Sequence, residues 1–148
     1  MTYKKITRAF NELSVTELYE LLRLRSEVFV VEQHCVFLDM DNKDQQCYHV
    51  LLYHDTQLAA YARVLPPGLS YKEASIGRII TSATARGTGV GKILTQYAIE
   101  ESRRLYGNGA IRIGAQVYAT KFYEQLGFKP DGEVYDEDGI DHIEMILI

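Results

Sequence analysis

The chain has little of what several protein classes require. Its two cysteines, Cys35 and Cys47, are too few for a disulfide framework and lack Cys-x-x-Cys spacing, so they read as reduced bystanders. Its four histidines, His34, His49, His54 and His142, show neither His-Glu-x-x-His nor other ligand spacing, and no metal is predicted. Sixteen basic residues against 20 acidic ones leave a net charge of −4, which gives no electrostatic footprint for a polyanion. Nucleic acid and an anionic membrane surface are therefore not expected partners. No apolar run approaches the ~20 residues of a transmembrane helix, and Met1-Thr2-Tyr3-Lys4-Lys5 lacks the apolar stretch of a signal peptide. A cytoplasmic location is expected. No Pro/Gly/Ser-rich linker or charge block divides the chain, so residues 1–148 read as one α/β domain.

What stands out is Arg86-Gly87-Thr88-Gly89-Val90-Gly91-Lys92, between a strand-like run, Ser75 to Thr81, and an amphipathic helix-like run from Val90 to Leu105. Strand, glycine loop and helix make the layout of an anion cradle. N–H groups of a first helical turn have no intrahelical partner, the helix dipole adds partial positive charge, and glycine lets a phosphate come close. A Walker A loop would need Gly at Arg86 and Ser or Thr at Ile93, and a dinucleotide fingerprint would need Gly at Lys92 or Leu94. The first is excluded and the second is argued against, while a phosphorylated ligand remains the expectation.

The rest of the chain punctuates clearly. Ser14-Val15-Thr16-Glu17 is a capping box, flanked by Leu13 and Leu18 as a hydrophobic staple. Leu18, Leu21, Leu22, Arg25 and Phe29 then recur at helical spacing, with Arg25 interrupting the apolar face. Residues Tyr48 to Tyr53 and Leu58 to Leu65 read as a hairpin, and Pro66-Pro67-Gly68 ends it. Ala110 to Gln116 reads as a further strand, and Glu133 to Tyr135 with Ile140 to Ile148 as a last hairpin around Asp136-Glu137-Asp138-Gly139. Phe122 and Leu126 share a helical face that Gly127 can end.

Arg-Gly-x-Gly-x-Gly opening a helix resembles the pyrophosphate loop of the GNAT superfamily of acyl-CoA-dependent N-acetyltransferases. Phe122-Tyr123, two residues, then Leu126-Gly127-Phe128 resembles the segment after the fifth strand of that fold. Arg25 with Val28-Phe29-Val30-Val31-Glu32-Gln33, Ala60-Tyr61-Ala62-Arg63, Ile76-Gly77-Arg78, Gly114-Ala115-Gln116 and Asp138-Gly139-Ile140 with His142-Ile143 are similar to an ElaA-like branch of it. The resemblance implies a mixed, mostly antiparallel central sheet flanked by helices. It implies acetyl-CoA as acetyl donor, held by the backbone of Ile79, Ile80 and Thr81, by Arg86, Gly87, Thr88, Gly89, Val90, Gly91 and Lys92, and by Gln116. Many family members carry Asn where Gln116 stands, so the geometry of that contact is open.

The same resemblance places Tyr123 as the acid that protonates the departing thiolate, and the N–H near Ile80 as an oxyanion donor. A phenol of ordinary pKa ~10 keeps its proton at neutral pH. Glu32 is the first candidate for the base and His142 the second, with His142 also on the acceptor side. Arg25, Arg63 and Arg78 are candidates for binding an acceptor anion, and Arg63 and Arg78 read equally well as interior ion-pair partners. Glu32, Asp39, Asp41 and Asp44 read equally as a solvated loop. The expected activity is acetyl transfer from acetyl-CoA to a primary amine of a small molecule; a CoA-binding regulatory module and a protein N-terminal or lysine acetyltransferase stay open. Exposed strands of such folds often pair, so a homodimer is a further expectation.

Overall fold

The structure, a computed structural model, describes residues 2–148, so Met1 of the opening segment lies outside the described residues. Its strands are β1 (Lys4–Ala9), β2 (Tyr48–His54), β3 (Gln57–Leu65), β4 (Ala74–Thr81), β5 (Ile111–Gln116), β6 (Lys129–Pro130), β7 (Tyr135–Glu137) and β8 (Ile140–Leu147). Helices α1 (Val15–Arg25), α2 (Val90–Tyr106) and α3 (Thr120–Gln125) complete the frame. One sheet runs in the order β1-β2-β3-β4-β5-β8-β6, with β7 also on β8, and every pairing is antiparallel except β4 with β5. This is the mixed, mostly antiparallel sheet expected.

Period-two alternation puts side chains of the inner strands on both faces. Val50, Leu52, Ala60, Ala62 and Val64 join the core beneath α2, with Val90, Leu94 and Ala98 from that helix. Leu51, Tyr53 and Tyr61 face the other way, toward Leu21 and Leu24 of α1. The Ser14 capping box forms in full and starts α1. Beyond Arg25 the coil widens into a π-helical turn, Ser26–Glu32, and Cys35 N–H reaches back to the Val30 carbonyl at 3.1 Å.

Two features of β4 shape the site. Its pairing with β5 stops after Ala74–Ile111 and Ser75–Arg112, whereas β5 stays paired to β8 up to Gln116–His142. The two central strands therefore diverge, and β4 from Ile76 onward has an edge with no strand partner. Secondly, Tyr61 opposes Ile80 while Arg63 opposes Gly77, so Arg78 and Ile79 share one position opposite Ala62 in a bulge. The bulge reverses the alternation: Ile76 packs on the α2 side and Ile80 on the α1 side. Arg78 adopts φ 50°, an uncommon value for a side chain of its size. Hydrogen bonds from its Nε to Asp39 Oδ1 at 2.9 Å and from its Nη2 to the Asp39 carbonyl at 2.8 Å hold it there.

The last hairpin is tighter than expected, because Asp136 and Glu137 are already in β7 and only Asp138-Gly139 form the turn. The aspartates overturn the solvated-loop reading. Arg25, 0% exposed, bonds Asp39 and Asp44 at 2.8 Å each, and Arg63, 3% exposed, bonds Asp41 and Asp44 at 2.8 to 2.9 Å. With Arg78 this makes three guanidiniums and three carboxylates, a balanced lattice on the α1 face. Burial opposes ionisation of Asp44, but hydrogen bonds and charge from Arg25 and Arg63 override it and hold its carboxyl below the usual range. His49 extends the lattice: its Nε2–H donates to the Asp44 carbonyl, and burial keeps the ring neutral, so Nδ1 accepts from the Tyr61 hydroxyl at 2.7 Å.

Removing one partner of such a lattice leaves buried charge uncompensated. Asp44→Asn should cost about 3–5 kcal/mol in chemical denaturation at neutral pH. The folded pKa of Asp44 is depressed, so its contribution is present above the unfolded value of ~3.9 and is lost as pH falls through the folded one. The gap between wild type and variant should accordingly narrow from pH 6 toward pH 2; a gap independent of pH would show that the charge of Asp44 is not what stabilises the loop.

Candidate functional site

The divergence of β4 and β5 opens a cavity of about 990 Å³. Ile76 to Thr81 line one side and Ile113, Gly114 and Gln116 the other. Tyr123 reaches it from α3, Glu32 and Gln33 from the end of the π-helical turn, and Arg86 from the glycine loop. Arg63, Arg78 and His142 are also in its wall. Most of the side chains singled out in the sequence thus meet in one place.

Residues 87–92 lie outside the cavity lining, on the loop beyond Arg86, and Arg25 is a correction. Its guanidinium is fully buried and shared between Asp39 and Asp44, so it does not reach the cavity and acts as a structural ion-pair partner. Arg63 and Arg78 do reach it, while also serving the interior ion pairs that were the alternative reading. Lys92 is exposed on the first turn of α2.

The glycine loop has the geometry of an anion cradle. Gly87 and Gly89 take φ values of 80° and 83°, and a Cβ at either would meet nothing within 4 Å, so the backbone there faces open space. Gly89 is the N-cap of α2, and the first intrahelical bond runs from Ile93 N–H to the Gly89 carbonyl, which leaves the N–H groups of Val90, Gly91 and Lys92 without helical acceptors. The Val90 side chain is core, so only its backbone can serve a ligand. The Thr88 hydroxyl donates back to the Ala85 carbonyl, closing the loop on itself. A diphosphate fits these groups, and the unpaired edge of Ile76 to Thr81 offers backbone donors and acceptors to an extended chain lying along it.

Two contacts tie the end of the π-helical turn to the glycine loop and to β5. Arg86 Nη2 lies 2.8 Å from Glu32 Oε2, with both side chains roughly 40% exposed (45% and 37%), and it also donates to the Thr81 carbonyl at 3.3 Å. Gln33 Nε2 donates to Gln116 Oε1 at 3.2 Å, so the amide at the position where Asn is commoner is already engaged. Gln33 went unrecognised as a partner because the two residues are 83 apart in sequence.

Tyr123 is 9% exposed, packed edge-on between Phe122 and Phe128. Burial, reinforced by nearby Tyr118, pushes its phenol well above the ordinary value, so it keeps its proton across the neutral range. His142 Nδ1–H donates to the Ile140 carbonyl at 2.8 Å, and its Nε2 faces Glu137 at 3.3 Å. Tyr71 and Tyr135 were not anticipated: their hydroxyls lie 3.0 and 2.8 Å from where a Cβ on Gly114 would sit, so a side chain there would push them aside. Burial pushes the Cys47 thiol up to about 11, which suits an inert cysteine. Among the described residues no helix is long and apolar enough to cross a membrane.

Known proteins share this arrangement. The family model for the acetyltransferase (GNAT) domain matches residues 12–148. The chain is 45% identical to a UPF0039 protein of Synechocystis over 139 residues, 93% of this chain and 90% of that one. It is 42% identical to Protein ElaA of Escherichia coli over 137 residues, 91% of this chain and 90% of the relative. Among solved structures, an acyl-CoA N-acyltransferase from Pseudomonas aeruginosa superposes with a TM-score of 0.94 at 36% identity, covering 99% of this chain and 100% of that one. The crystal structure of E. coli ElaA gives 0.93 at 38%, with the same coverage. The split between β4 and β5, the glycine loop capping α2 and these matches over nearly the whole chain together make it a member of the GNAT acetyltransferase family, in its ElaA-like branch.

Proposed function

We propose that this protein transfers the acetyl group of acetyl-CoA to a primary amine of a small molecule, with Tyr123 as general acid. The observation that carries the reading is the buried phenol of Tyr123 in the wall of the cavity that the unpaired edge of β4 opens. The diphosphate is held by the loop from Arg86 to Lys92, and the pantetheine arm lies along Ile79 to Thr81. A regulatory module that only binds CoA would have no use for a proton donor at that place.

The chemistry needs one bond made and one broken. The amine nitrogen bonds to the acyl carbon, the carbon–sulfur bond breaks, the Tyr123 hydroxyl supplies the proton that the departing sulfur takes, and the proton the nitrogen sheds as the amide forms goes to solvent, which reprotonates the phenolate. An amine with a pKa above ~8 arrives mostly protonated, so a base must first remove a proton. Glu32 is the group proposed for it, directly or through water. In the present arrangement its carboxylate is held by Arg86. A diphosphate competing for Arg86 would release the carboxylate toward the amine, which couples filling of the donor side to readiness of the base.

Three measurements test this. Tyr123→Phe keeps the ring and its packing, so acetyl-CoA should still bind while kcat in a thiol-release assay with primary amines falls. General acids contribute ~10²- to 10⁴-fold, and a thiol leaving group needs less help than an alkoxide, so a loss near the lower end is expected; kcat within about twofold, with chemistry rate-limiting, would remove Tyr123 as the acid, since ~1.4 kcal/mol of barrier already gives tenfold. Glu32→Gln should move two quantities in opposite directions: acetyl-CoA binds more tightly in calorimetry because Arg86 is freed, and turnover falls. Lower affinity would mean that Glu32 orients Arg86 for the ligand rather than competing with it. Gly89→Val forces a β-branched residue into a left-handed conformation costing ~1–2 kcal/mol and places methyls where phosphate must approach. Acetyl-CoA affinity should drop at least tenfold with only a modest fall in Tm, and unchanged affinity would take the loop out of the binding site.

A further inference from the structure

We infer that the acceptor carries an anionic group, a carboxylate or a phosphate, remote from its amine, and that Lys43 binds it at the end of the cavity away from Arg86. The inference rests on the amine-acetyltransferase reading above and names the class of acceptor.

Four cationic side chains of Lys and Arg line the cavity: Lys43, Arg63, Arg78 and Arg86. The three arginines are all ion-paired, Arg63 with Asp41 and Asp44, Arg78 with Asp39, Arg86 with Glu32. Lys43 has no carboxylate within ion-pair reach among the described residues, and its Nζ donates only to the neutral Ser70 hydroxyl, at 2.9 Å. At this exposed point of the wall, where the other Lys and Arg side chains are already paired, Lys43 is the cation left to meet an anion.

The lysine is also held in place. Asn42 turns the chain with φ 64°, Lys43 N–H donates to Asp41 Oδ1 at 3.1 Å, and its carbonyl accepts from Gln46 N–H at 3.0 Å and from the Cys47 thiol at 3.1 Å. Its neighbours Asp41 and Asp44 are both fixed to Arg63. The buried lattice that shapes the wall therefore also sets where the Lys43 backbone stands, and a fixed origin for a long side chain lowers the cost of ordering it on a ligand.

Topology separates this charge from the donor side. Ser70 precedes the start of β4 and Arg86 follows its end, and the strand between, with one residue taken up by the bulge, makes six steps at ~3.3 Å each, about 20 Å between those ends. An anion at Lys43 is thus read at a distance from the diphosphate cradle. The pairing selects acceptors whose charge sits several bonds from the reacting nitrogen.

The test compares, at fixed acetyl-CoA, n-alkylamines with ω-amino carboxylates and ω-aminoalkyl phosphates of matched chain length. In the wild type, kcat/KM for one anionic series should exceed that for the alkylamines by tenfold or more at the best length, and the better series identifies the anion. Lys43→Gln should bring that ratio toward one through KM for the anionic acceptor, and Lys43→Arg should keep most of it, which a merely structural lysine would not require. Lys43→Glu should turn the preference toward diamines. A wild-type ratio near one, or a ratio unchanged in a folded Lys43→Gln protein, overturns the inference while leaving amine acetylation standing. Acetyl-CoA binding with no release from any amine overturns the amine reading itself, and the inference with it.

Discussion

The parting of β4 from β5 is the constraint on which the rest depends. Only two residue pairs join these strands, and beyond Ser75 each commits to its other neighbour, β4 to β3 and β5 to β8. A buried strand edge without partners is costly, because each unpaired N–H or carbonyl removed from water loses ~1–3 kcal/mol. The fold meets that demand by leaving the edge in the wall of a cavity, where solvent or an extended ligand can satisfy it. The cavity is thus a consequence of the sheet topology, and the side chains around it are those that the ends of the diverging strands bring there.

How much of this the sequence showed depended on whether the signal was local. The glycine loop, the Ser14 capping box, the hairpin of β2 and β3 and the amphipathic face of α2 each rest on residues within one or two turns of one another, and their positions were legible. Tyr123 was legible through its motif. The bulge at Arg78 was not, because no glycine marks it; its left-handed backbone is held by Asp39, 39 residues away in sequence. Asp39, Asp41 and Asp44 looked like a solvated acidic loop for the same reason: spacing shows neither Arg25 nor Arg63 as their partner. Gln33 with Gln116, and Tyr71 with Tyr135 over Gly114, are likewise long-range contacts that periodicity does not encode.

Burial decides what the charges of this site can do. Arg25, Arg63, Arg78, Asp39, Asp41 and Asp44 form a set of equal positive and negative charge, and at its buried members, Arg25, Arg63, Asp39 and Asp44, breaking one pair costs about 3–5 kcal/mol. That set cannot be rearranged within the reach of an ordinary ligand. It fixes the bulge, the loop and the wall. Arg86 with Glu32 is a different kind of pair: half-exposed, screened by water, and worth about 0–1 kcal/mol. A diphosphate bound as proposed, offering charge-assisted hydrogen bonds, would outweigh that contact.

Under the mechanism proposed above, with Glu32 as the base, the placement of the two kinds of pair follows from what each would have to allow. A group that orients an acceptor has to stay put through every turnover, so its support belongs in the lattice, where exchange is slow and expensive. A carboxylate that takes a proton from an amine has to change partners within each cycle, so it belongs on the exposed end, where a change of partner costs little. Had Glu32 been buried against Arg86 as deeply as Asp44 is against Arg25, releasing it would consume several kcal/mol of donor binding energy, a factor of more than a hundred in affinity. The shallow position of Glu32 at the end of the π-helical turn avoids that loss, and the widened turn is what brings it within reach of the glycine loop.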